Sequence, residues 1–253
     1  MKTNNQVLLK NEINQMNMNI VIKLVALSSS TEIMEQMKFV TKRVGEHLQE
    51  IDEMFSPFRY DSLVSKFQRG DQTPLTSSNE FKEIYNSAVL SQQMTNGIYR
   101  PYFAGRFDPS EIVRNWAIEQ VFNDELKPML KNPEIVAVYL SGDDNSKFAT
   151  KQSSDFRWQI DITEPKNNAN VITTYYLQNG AIATAKNNDK QTTVIRSSLV
   201  EAGIWALVGT EASVDEFMPF VAHYNLTGIA VGTNIVNFNL GSIIDNKNLT
   251  VRR

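Results

Sequence analysis

The apolar positions change period along the chain, and the changes mark the elements. Residues 19–28 (NIVIKLVALS) are rich in β-branched side chains and read as a buried strand. Ser29, Ser30 and Thr31 offer helix N-caps. From there apolar residues recur at spacings of three and four: Ile33, Met34, Met37, Val40, Val44, Leu48, Ile51 and Met54. That spacing is one face of a long helix over 32–55, broken by Ser56-Pro57 into a polar loop. A second helix is predicted over 79–94, ended by Asn96-Gly97. An extended stretch over 98–107 leads to a third helix over 110–130, with Ser110 as its N-cap. Residues 135–140 (IVAVYL) form a strand ending in Ser141-Gly142-Asp143-Asp144-Asn145. Further strands are predicted over 157–163, 171–177, 181–185 and 192–199, with 171–177 and 181–185 joined as a hairpin through Asn179-Gly180. A helix over 213–224 and a strand over 227–233 follow, and 234–253 is less regular.

Helices and strands mix without a regular alternation and without an internal repeat, so the expected class is α+β, one compact unit over 1–253. A chain of 253 residues is long enough for a sizeable core. Its net charge of −3 argues against a dedicated nucleic-acid binder. There is no cysteine, which excludes disulfides, thiolate nucleophiles and cysteine zinc sites. With His47 and His223 as the histidines, a bound metal would be a hard ion held by oxygen, such as Mg²⁺. The polar N-terminus does not read as a signal peptide. The apolar run 20–27 contains Lys23 and is too short to cross a bilayer. The expectation is a cytoplasmic protein with no membrane insertion.

Five pieces carry candidate chemistry. The first is the loop after the long helix, where Phe58, Arg59, Asp61, Ser62 and Ser65 gather. An aromatic face beside short polar groups suits a flat, polar ligand such as a nucleotide; the alternative is that Phe58 plugs the core. The second is Phe107-Asp108-Pro109-Ser110 running into a helix that carries Trp116-Ala117. A helix start favours an anion, although Asp108 or Ser110 also suits a cap. The third is Gly142-Asp143-Asp144, where glycine permits close approach and carboxylates can hold a ribose or a cation; the alternative is a solvated turn. The fourth is the small-residue strand Ala181-Ile182-Ala183-Thr184, with room for a flat ligand or a close strand crossing. The fifth is Asp215, suited either to capping a helix or to holding Mg²⁺.

In this order the pieces resemble the ApbE family, the FAD:protein FMN transferases. Phe55-Ser56-Pro57-Phe58-Arg59-Tyr60-Asp61-Ser62 is similar to the family's aromatic and serine loop. Phe107-Asp108-Pro109-Ser110 with Trp116-Ala117, then Gly142-Asp143, then Ala181-Ile182-Ala183-Thr184 follow in register, and the resemblance covers roughly 16–231. It implies a mixed α+β sandwich resembling paired T-folds. It implies FAD held by Phe58, Asp61, Ser62, Phe107, Asp108, Trp116, Gly142, Asp143 and Thr184, with Asp215 as a Mg²⁺ ligand. The activity implied is transfer of FMN from FAD to a Ser or Thr hydroxyl of a target protein, with Mg²⁺ neutralising the pyrophosphate. The sequence departs from the family pattern at several places. Met16-Asn17-Met18 stands at its Met-Gly-Thr. Glu111, Arg114 and Asn115 stand at its Gly, Lys and Gly, so that two side chains intrude where glycine leaves space. Its histidine segment is absent between Ala185 and Thr193, and Pro219 stands at its metal-binding threonine. Three readings follow: an FMN transferase, a relative that binds flavin or a partner without transfer, and a scaffold with no flavin.

Overall fold

The computed structural model describes residues 6–165 and 167–244. Two antiparallel strands open it, β1 (Val7–Gln15) and β2 (Met18–Ala26). In β2 the even positions Met18, Ile20, Ile22 and Leu24 are buried on one face, as a pleat of period two requires. The long helix α1 (Thr31–Phe55) lies against that face. The Ser30 hydroxyl caps it by accepting the Ile33 amide, and its buried stripe is Ile33, Met37, Val40, Val44, Leu48, Ile51 and Phe55. Short helices α2 (Leu63–Gln68) and α3 (Pro74–Ser77) fill the predicted loop, followed by α4 (Asn79–Met94). A two-strand tip, β3 (Tyr102–Phe103) and β4 (Arg106–Phe107), precedes α5 (Ser110–Val121).

The helix expected over 110–130 does not run through. It passes into a π-helical turn (Phe122–Leu126) and a 3₁₀ turn (Lys127–Lys131). Pro128 lacks the amide that would continue the ladder, and its ring crowds the carbonyl four residues earlier. The chain returns as β5 (Ile135–Gly142) and β6 (Asn145–Thr150), a tight hairpin turning at Asp143-Asp144. A separate ribbon follows, β7 (Trp158–Glu164) with β8 (Asn167–Leu177). Then come β9 (Gly180–Lys186), β10 (Gln191–Arg196), α6 (Leu199–Glu211), α7 (Val214–His223), β11 (Thr227–Val231), β12 (Ile235–Asn239) and β13 (Ser242–Ile244).

Nine of these strands form one sheet in the order β1-β2-β5-β6-β9-β10-β11-β12-β13, antiparallel throughout. Two like units stand side by side in it. Each runs strand, strand, helices, strand, strand: β1-β2, α1 to α5, β5-β6, and then β9-β10, α6-α7, β11-β12. The α+β class and the paired arrangement agree with the expectation. The helices cover one face over the main core. The β7–β8 ribbon covers part of the other, where Trp158 and Ile162 pack with Phe148, Ile182 and Ile229.

Three expectations are corrected. Asn179-Gly180 does not close a hairpin: β8 pairs with β7, whereas β9 pairs with β6 and β10. The turn hands the chain from the ribbon to the main sheet, and the Asn179 side chain accepts the Thr150 amide at 3.0 Å. The strand expected over 192–199 ends at Arg196, and α6 follows where no helix was expected. β1 occupies the polar N-terminal stretch, and β12 and β13 the stretch read as less regular. Residues 245–253 of that stretch lie outside the described residues.

Candidate functional site

Three segments far apart in sequence meet at one small cleft of about 70 Å³. The first is the β1–β2 turn, where Met16 and Asn17 both take positive φ (53° and 57°). Such a turn matches the twist of a two-residue hairpin but ordinarily wants Asn or Gly at both places, so Met16 is held in a costly conformation. The second segment is the loop Phe55 to Phe58, and the third is Pro109 to Arg114 at the start of α5. Phe58 is 90 % exposed on the rim, so it does not plug the core. Phe55 and Trp116, immediately behind, meet edge to face at 5.6 Å and hold the floor.

A second, more polar cleft of about 180 Å³ opens between the end of the β5–β6 hairpin and the ribbon. Asp143, Asp144, Asp161, Thr184, Lys186 and Gln191 line it. Asp144 pairs with Lys186 at 2.9 Å. Asp143 sits at φ 51° in the hairpin turn, and its Oδ1 accepts the Asn19 amide at 3.2 Å. Gln191 is buried and donates to the Thr163 carbonyl at 3.1 Å, while its Oε1 has no partner.

A hydrogen-bonded thread links α5 to β6, β9 and β10. The Asn115 side chain, on α5, donates to the Glu111 carbonyl at 3.2 Å and accepts from Asn145 Nδ2 at 2.8 Å. Asn145 Oδ1 accepts the Thr184 amide at 3.0 Å, and the Thr184 and Thr193 hydroxyls bond at 2.8 Å. Asn115 also lies close against α6: a Cβ built on Gly203 would come within 2.1 Å of Asn115 Nδ2. Asn115 is thus bonded in place against α6 and β6.

The other predicted residues are placed as follows. Ser62 is buried as the N-cap of α2, accepting the Ser65 amide at 3.1 Å. Asp61 is exposed, 3.9 Å from Arg59. Phe107 is buried in an aromatic cluster with Phe67, Phe81, Tyr85 and Tyr102. Asp108 accepts the Ser110 amide at 3.1 Å and so organises the start of α5. Trp116 is buried between helices. Gly142 meets side chains: a Cβ there would lie 2.8 Å from Ile118 Cδ1 and 3.1 Å from Met18 Sδ. Asp215 stands exposed in the first turn of α7, which Ser213 and Glu216 cap reciprocally. Those two bonds from Ser213, backbone and side chain, hold the Glu216 carboxyl below the usual carboxylate range. Of the predicted set, then, Phe58 lies at the first cleft, Asp143 and Thr184 at the second, and the remainder outside both. Lys186 and Gln191 join the second cleft without a role assigned from sequence, and Asn145 bonds the Thr184 amide beside it. Their only signal was closeness in the chain to Asp143 and Thr184.

Among the described residues no three carboxylates or histidines gather in a way that could hold an ion, at Asp215 or elsewhere. No helix among them is long and apolar enough to cross a membrane.

No family profile and no curated protein matches the sequence. Solved structures do. The apbe protein of Thermotoga maritima superposes with a TM-score of 0.73 at 12 % identity, over 92 % of this chain and 97 % of that one. The apo form of the flavinyl transferase ApbE of Pseudomonas stutzeri gives 0.68 at 12 % identity, over 96 % and 95 %. The flavin transferase ApbE of Vibrio cholerae gives 0.66 at 13 % identity, over 92 % and 94 %. The fold of this chain is the ApbE fold along nearly its whole length.

Proposed function

We propose that this chain is a flavin-binding relative of the transferases whose fold it shares, binding FAD without metal-dependent transfer of FMN. The observation that carries the reading is the convergence of the Met16-Asn17 turn, the Phe55 to Phe58 loop and the start of α5 on one cleft with an uncovered aromatic ring at its rim. Phe58 offers a face for a flat ring system, and Arg114, lining the same cleft, offers charge to a phosphate. Both clefts, of about 70 and 180 Å³, are smaller than the ~300 Å³ usual for enclosing a ligand. The ligand therefore lies along the seam, with one ring at Phe58 and much of its length exposed.

Two features favour this reading over transfer. That step needs a cation beside the pyrophosphate and a group to take the proton of the acceptor hydroxyl. Among the described residues no group of three carboxylates or histidines gathers around Asp215. His47 sits on α1 at 3.5 Å from Glu125, and His223 lies at the end of α7, edge-on to Tyr224 at 4.6 Å. Neither lines either cleft.

A second reading, Mg²⁺-dependent FMN transfer to a Ser or Thr of a target protein, draws on the solved structures of like fold, two of which are named as flavin transferases. Titration with FAD, followed by flavin fluorescence with and without Mg²⁺, separates the two. Saturable binding indifferent to Mg²⁺, with no AMP released, is the expected result. Binding that tightens with Mg²⁺ and releases AMP restores the transferase reading. No binding in either condition removes the flavin altogether.

A further inference from the structure

The main sheet does not close on itself, and β1 is one of its two edge strands. β2 pairs with it on one side, and among the described residues no strand pairs with it on the other. Its nine residues run in unbroken register against β2, with no bulge and no proline. The strand at the other edge, β13, has three residues. A long, regular edge offers a row of free main-chain donors and acceptors to a further strand.

Which groups are free follows from the turn. Met16-Asn17 is a two-residue turn, so Gln15 and Met18 on either side of it exchange both main-chain bonds. The odd positions of β1 therefore turn their N–H and C=O groups toward β2, and Leu8, Lys10, Glu12 and Asn14 turn theirs outward. Asn19, opposite Asn14, has the phase this requires: its amide and carbonyl point away from β1 to Asp143, each at 3.2 Å.

An antiparallel neighbour must bring outward groups to outward groups, so even positions meet even positions. For a second copy of β1 about a two-fold axis, the registers differ in what they oppose. Centred on Lys10, lysine faces lysine; centred on Glu12, glutamate faces glutamate. Centred on Asn11, the whole of Val7–Gln15 is paired, and Lys10 of each copy stands opposite the partner's Glu12. Opposite charges directly across a ladder stabilise it, and like charges destabilise it. Within one copy Lys10 and Glu12 already share a face, 2.5 Å apart and each about half exposed, so the two copies would complete a ring of alternating charge. A lone edge lysine deters a further strand; here each lysine has its carboxylate. On the other face the same register sets Leu9 against the partner's Ile13, and both are only partly buried in the single chain. The axis stands perpendicular to the sheet, so each α1 stays on its own core. The residues that α1 turns toward β1 are small: Thr41, bonded to Asn11 at 2.8 Å, and Gly45, beside Ile13.

We propose that β1 is a dimer edge, at which two copies of this chain pair antiparallel about Asn11 and continue one sheet across the axis, with Lys10 and Glu12 setting the register.

The test is the mass of the full chain in solution, by sedimentation over roughly 1–200 µM, the range of a small interface. A reversible monomer–dimer equilibrium is the expected result, and a monomer throughout overturns the proposal. Glu12→Lys, and separately Lys10→Glu, should raise the dimer dissociation constant at least about tenfold, because each turns both cross-axis pairs repulsive. The double reversal, Lys10→Glu with Glu12→Lys, should restore the dimer. Both side chains are exposed, so their reversal leaves the core untouched. A dimer indifferent to the single reversals, or not restored by the double one, overturns the edge pairing. The register has its own readout, since the chain has no cysteine. Across the axis the two Asn11 Cα atoms would stand ~4.5 Å apart, within disulfide reach. Asn11→Cys should therefore cross-link on oxidation with diamide. Leu8→Cys, more exposed but opposite Asn14, should not. Equal cross-linking of the two, or none at Asn11→Cys, overturns the register. If Asn11→Cys does not fold, the charge reversals decide alone.

Discussion

At the scale of single residues, the structure separates side chains that hold the frame from side chains free to meet a ligand. Ser62, Phe107, Trp116 and Gly142 are packed or capping, and the chemistry read into them from sequence is already engaged by the fold. Phe58 differs. It is almost wholly uncovered, so Phe58→Ala should leave stability within about 0.5 kcal/mol in a denaturant titration. The same change should raise the FAD dissociation constant roughly tenfold, since stacking of a base on an aromatic ring contributes ~1–3 kcal/mol. Undiminished affinity would remove Phe58 from the ligand. Asn115 has the opposite profile, buried and bonded on both sides. Asn115→Ala strands the Asn145 amide and should cost about 1–3 kcal/mol of stability, read as a lowered unfolding midpoint.

At the scale of elements, serine hydroxyls start most of the longer helices, although the sequence assigned only Ser29 to Thr31 correctly and Ser110, read as a cap, is instead the first residue of α5 after Pro109. Ser30, Ser78, Ser198 and Ser213 each accept an amide of the first turn, and each precedes its helix by one residue. The Ser213–Glu216 pair is a full capping box, and its electrostatics have a sign. A carboxyl held below its ordinary value adds stability that is complete above the unfolded glutamate pKa of ~4.3. That stability is lost as pH falls through the lower folded value. Glu216→Gln should therefore flatten the acid limb of a stability-against-pH curve, and an unchanged limb would show that the box contributes nothing. Ends were less legible than starts. The interior of α5 carried no signal that it would give way to π and 3₁₀ turns beyond Pro128 itself. In α6, eight of thirteen residues are buried, so its apolar positions show no stripe from which a period could be read. The ninefold alternation of β1 was hidden because its inward positions include Asn11 and Gln15 beside Val7, Leu9 and Ile13.

At the scale of the whole molecule, two like units share one sheet, and the ribbon between them decides how the second face is closed. Tyr175 on β8 packs against that second core, and burial pushes its phenol up to about 12. The unfolded chain loses this proton first, near pH ~10, so stability is full below that value and falls as pH rises toward 12. Tyr175→Phe should flatten the alkaline loss in urea titrations between those limits; a loss of equal slope would place its cause in other groups. The sequence by itself determined the α+β class, the positions of α1, α4, α7, β2, β5 and β11, and the cap of α1. These are set by local period and by short-range competition for amide protons, which neighbouring residues alone decide. Its residues show no internal repeat, so the doubling of the unit was foreseen only through the resemblance, because equivalent strands need only equivalent patterns of burial and not equivalent residues. It did not decide that Asn179-Gly180 would join two sheets, since a turn sequence bends the chain without choosing its partner strand. Only the tertiary structure decided that Phe58 faces water and that Asn115 bridges to Asn145. Only there, too, do the indoles of Trp116 and Trp205, eighty-nine positions apart, line one cavity, because such contacts depend on which faces meet across the core.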